Sequence, residues 1–68
     1  MNLRVTPKNP ADATTMSWMA QKLWERKVCE MLAWAPDDPR AIIFSNVTDQ
    51  PELRRTFDPK FFNVTEEP

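Results

Sequence analysis

The chain predicts an α+β domain: one long amphipathic helix laid on a small sheet of two or three short strands, plus a short second helix. Three observations carry this reading. The stretch Thr14 to Trp34, TTMSWMAQKLWERKVCEMLAW, holds all three tryptophans and the only cysteine, and its apolar residues recur at helical spacing. AIIFSNV, residues 41–47, is rich in β-branched and aromatic side chains, as strands are. Asp49, Pro51 and Glu52 together spell a helix start,. The runner-up architecture is a mostly helical unit in which AIIFSNV is the only extended piece.

Taken in order, residues 1–11 open with NLRVT, which alternates polar and apolar side chains and fits an edge strand or an N-terminal arm,. Pro7 and Pro10 forbid a continuous helix there. The long helix is expected over 12–35. Asp12, Thr14 and Thr15 are competent N-caps, and Pro36 biases Ala35 away from helical geometry. Such a rod would be roughly 30 Å long. At 100° per residue its apolar face collects Met16, Ala20, Leu23, Trp24, Val28, Met31, Leu32 and Trp34, with Gln21, Lys22, Glu25, Arg26 and Glu30 opposite,. Trp24, Trp34 and the methionines are therefore read as core. Two apolar residues, Trp18 and Cys29, fall on the polar side.

APDDPR, residues 35–40, reads as a turn with two prolines and two acids,. A short helix follows the strand over about 51–56, with Asp49 and Glu52 forming a D-x-x-E capping box. KFFNVT, residues 60–65, is a possible final strand, and 66–68 a loose tail. FSNVTDQP (44–51) and FFNVTEEP (61–68) echo each other. Two strand ends with similar turn chemistry explain that echo more simply than a duplicated binding element.

At 68 residues the chain is a single domain that buries only about 60 % of its unfolded surface. It must compensate by dense packing or by a partner surface, because one cysteine forms no internal disulfide,. With no histidine and a single thiol a zinc site is not expected, and His-based triads are excluded; without glycine, so are the phosphate-cradling loops,. No cofactor, no metal site and no catalytic group is expected, and the chain reads as a non-enzyme. A net charge of −1 argues against coating nucleic acid through bulk charge,. No segment approaches the roughly 20 apolar residues of a membrane span, and the N-terminus lacks a signal-peptide core. The expectation is a soluble, cytoplasmic protein with Cys29 reduced.

Trp18 is the leading candidate for a partner-binding residue. It stands on a polar helix face with Lys22 four residues on, as an interface anchor would; the alternative is that another layer of the domain covers it. Arg26 and Cys29 could share that patch, with Lys22 and Arg26 supplying a positive environment for the thiol. A buried, inert cysteine is the simpler reading. A second candidate set, Arg40, Arg54, Arg55 and Lys60, could contact phosphate. Interleaved Asp37, Asp38, Asp49, Glu52 and Asp58 point instead to paired or solvated charges,. Asp37-Asp38 as a Mg²⁺ site is a weaker signal still.

The functional expectation is a non-catalytic protein-binding module, an adaptor or inhibitor that occupies a surface of a larger protein. Small phage and mobile-element proteins that block host machinery offer an analogy of size and composition only. Nucleic-acid binding through the arginines is the second reading. A homo-oligomeric structural piece, with the apolar stripe as its interface, is the third.

Overall fold

The computed structural model describes all of residues 1–68. Strand β1 (Asn2–Pro7) is followed by a 3₁₀ turn (Pro10–Asp12) and helix α1 (Ala13–Glu25). A hairpin of β2 (Met31–Ala35) and β3 (Asp38–Ser45) comes next, then helix α2 (Gln50–Thr56) and β4 (Phe62–Glu67). The four strands form one sheet in the order β2-β3-β1-β4, and every neighbouring pair is antiparallel. The class is α+β.

The long helix over 12–35 and the sheet of two or three strands are both overturned, as is the mostly helical runner-up. The α-helix has 13 residues and ends at Glu25. Lys27 turns the chain left-handed there, with φ of 63°. Its N–H donates to the carbonyl of Trp24 and that of Val28 to the carbonyl of Leu23, at 3.0 Å each. Those two bonds, with Val28 and Leu23 both in the core cluster, make a Schellman stop. Glycine normally occupies the left-handed position; here a lysine does, which is why no residue type announces the stop. A 30 Å rod would also have exceeded the longest dimension of the domain, 27 Å,.

The residues beyond the stop change period rather than composition. Across the β2–β3 ladder Leu32 lies opposite Phe44 and Trp34 opposite Ile42, so Leu32 and Trp34 share the face that the helices cover. Pro36 and Asp37 form the hairpin tip. The register shifts between Trp34 and Ala35, which pairs with Asp38, and the Asp38 carboxylate accepts the Arg40 N–H at 2.9 Å.

β1 is not at an edge but between β3 and β4. Its alternation still places Leu3, Val5 and Pro7 inward; alternation reports which face is covered, not how many neighbours a strand has. The 66–68 tail is corrected as well, since Glu66 and Glu67 belong to β4 and pair with Leu3 and Asn2. The echoed segments differ in structure. Asn46, with φ of 53°, takes the chain out of β3, whereas Asn63 stays inside β4 opposite Thr6.

Both helices lie on one face of the sheet. Leu3, Val5, Ile42, Phe44 and Phe62 from the strands meet Met16, Ala20 and Leu23 of α1 and Leu53 of α2. Phe57 stands edge-on to Phe44 and Phe62, with ring centroids 5.6 and 5.2 Å away, a favoured aromatic arrangement. α2 starts where its cap residues place it. The Asp49 carboxylate accepts the Glu52 N–H at 3.1 Å, while the Glu52 side chain pairs with arginines. Only one half of the capping box is therefore made. At α1 the cap lies earlier: Asn9 accepts the Ala11 N–H at 3.0 Å and opens the 3₁₀ turn, and Asp12 makes no side-chain cap.

Candidate protein-binding surface

Trp18 projects from α1 with 69 % of its surface exposed. Neither the N-terminal arm nor a second layer covers it. Lys22 follows at i+4 and Arg26 at i+8, so the three share one side of α1. A shallow depression lined by Ser17, Trp18, Gln21, Lys22 and Glu25 lies on one flank of Trp18. A second, lined by Met19, Leu23, Arg26 and Thr56, lies on the other. Trp18 and Lys22 thus form a ridge between two hollows. Arg26 is tethered at its end by Glu52 of α2, 3.6 Å away.

Cys29 does not share this surface. It follows the helix stop, is 4 % exposed and belongs to the core cluster. Burial pushes its thiol above the ordinary value, against a smaller opposing effect of the Met31 backbone N–H. Lys22 and Arg26 face elsewhere, because the helix that would have aligned them with Cys29 has already ended.

The second candidate set is divided among three elements. Arg40 lies on β3, Arg54 and Arg55 on α2, and Lys60 in the turn before β4, where its N–H donates to Asp58 at 2.8 Å. Arg55 is engaged by Glu52, which also raises the guanidinium pKa through a hydrogen bond. One carboxylate thus holds both Arg55 and Arg26. Asp37 is likewise occupied, paired with Arg4 at 3.0 Å.

A further apolar surface escapes the periodicity argument. Trp24, Met31 and Trp34, assigned to the core by their helical spacing, are 47, 61 and 53 % exposed. Trp24 lies over the start of β2, where its indole N–H donates to the Glu30 carbonyl at 3.3 Å. A groove between α1 and β2 is lined by Gln21, Trp24, Glu30, Met31 and Leu32. It has a neighbour lined by Ser17, Ala20, Gln21, Leu32, Ala33, Trp34 and Ile42. The signal that could have located it is the pair of short apolar runs, MLAWA and AIIF, on either side of the proline-rich turn, as in a hairpin.

Comparison with protein-family models, with curated proteins and with solved structures found no match.

Proposed function

We propose that the chain is a non-catalytic protein-binding module, an adaptor or inhibitor that occupies a surface of a larger protein through Trp18, Lys22 and Arg26. The observation that carries this reading is Trp18, 69 % exposed on a helix whose other face fills the core. A small domain gains stability by burying its largest side chains. Here the core is closed by phenylalanines and aliphatic residues, and an indole is left in water beside two cations. Tryptophan and arginine are the residues that most often dominate binding energy at interfaces, and the flanking hollows give a partner side chain somewhere to seat. A cytoplasmic setting, which keeps Cys29 reduced, suits the same reading.

Affinity capture of the tagged chain from nuclease-treated lysate, beside Trp18→Ala and Lys22→Glu, tests it. The expected result is one stoichiometric protein lost by both variants, with their far-UV circular dichroism unchanged. A partner that Trp18→Ala retains would overturn the assignment. So would retention of nucleic acid alone, with the steep salt dependence of phosphate contacts.

A further inference from the structure

The two edges of the sheet are built differently. β4 carries Glu66 and Glu67, and charge on an edge discourages pairing with another chain. β2, Met31–Ala35, is MLAWA: it has no charge and no proline, and only β3 pairs with it. Its outer side therefore presents unpaired backbone N–H and C=O groups. Met31 and Trp34 on it are more than half exposed, and Trp24 flanks it from α1.

We propose that β2 pairs antiparallel with β2 of a second copy of this chain, joining the two sheets edge to edge about a two-fold axis at Ala33. The segment is self-complementary in that register. Leu32 faces Trp34 of the second copy on the helix-covered side, and the small Ala33 meets its own equivalent on the axis, short of the register shift that follows Trp34. The start of one β2 lies beside the end of the other, which brings Trp24 of each copy towards Trp34 of the other. Four half-exposed indoles then remove roughly 400 Å² from water. That is a large part of the about 1,000 Å² that a specific interface needs, and the paired backbones with Met31 and Leu32 add to it.

The surface is independent of Trp18, so either proposal stands without the other.

The test is sedimentation velocity on the full chain, from micromolar to millimolar concentration, beside Ala33→Lys and Ala33→Glu. Ala33 is exposed, so both variants keep the fold, which circular dichroism verifies. The expected result is a concentration-dependent dimer weakened about tenfold or more in each variant, because like charges then lie directly opposite on the axis. An equimolar mixture of the two variants regains the dimer, since the ammonium introduced in one copy then meets the carboxylate introduced in the other. A wild-type chain that stays monomeric throughout would overturn the proposal and leave the edge to a strand of another protein. A dimer indifferent to both substitutions, or a mixture that fails to recover it, would overturn it as well.

Discussion

Arg4 and Glu67, 63 residues apart in the chain, meet through two parallel hydrogen bonds of 2.9 Å, from Nε to Oε2 and from Nη2 to Oε1. Both side chains are about four-fifths covered. The same guanidinium reaches Asp37 at the tip of the β2–β3 hairpin, at 3.0 Å. Arg4 therefore joins the first strand to the last and to the hairpin, on the face without helices.

That clasp makes stability depend on pH with a definite sign. Hydrogen bonds from Arg4 hold the carboxyls of Glu67 and Asp37 below their ordinary values. Groups lowered in the fold stabilise it above their unfolded pKa, and the contribution is lost as pH falls through the folded values. The melting temperature should fall between about pH 5 and about pH 3, and the fall should be shallower in Arg4→Met. Parallel slopes for the two proteins in thermal melts across that range would dismiss the clasp.

The helix stop at Lys27 invites a stabilising substitution. A lysine with φ of 63° bears a steric cost of about 1 kcal/mol that glycine avoids. Lys27→Gly should therefore raise stability by up to about 1 kcal/mol in urea titration. A loss of similar size would mean that the lysine side chain contributes more than its backbone costs.

The aromatic residues should separate sharply by burial. Phe57, 1 % exposed between Phe44 and Phe62, should cost about 3–5 kcal/mol on truncation to alanine, enough to unfold much of so small a domain. Phe61, 55 % exposed, should change stability by less than about 0.5 kcal/mol. Denaturation of the two variants side by side measures both.

Cys29 should ignore thiol reagents in the native state. Its burial both blocks access and disfavours the thiolate,. Labelling with a chromogenic disulfide at neutral pH should proceed only when denaturant is added. Immediate native-state labelling would contradict the packing of the α1–β2 connection.

Some of this molecule is legible in its residues. Asp49, Pro51 and Glu52 mark the start of α2 by local chemistry, and Gln50 is where the helix begins. Trp18 stands out on the polar side of α1 because the register of Met16, Ala20 and Leu23 is set within one short helix. What the residues conceal is the change of period after Glu25. An apolar run without glycine or proline satisfies a helical wheel and a strand equally well, and the β3 partner that decides between them lies beyond the run itself. The misplacement of Met31 and Trp34 in the core follows from that one ambiguity. The interior position of β1 is hidden for a related reason: it depends on partners at both 42–44 and 62–67.

The strand order also sets a timetable. β1 is made first, yet neither of its neighbours exists until the chain has been synthesised past β3, and its second edge stays open until β4 follows. The β2–β3 hairpin closes locally, but both pairings of β1 must close long loops, which slows a domain whose helices and hairpin alone could form quickly. A nascent chain halted before Phe62 would hold β1 with one side unpaired. The first strand to be synthesised is thus the last to be completed.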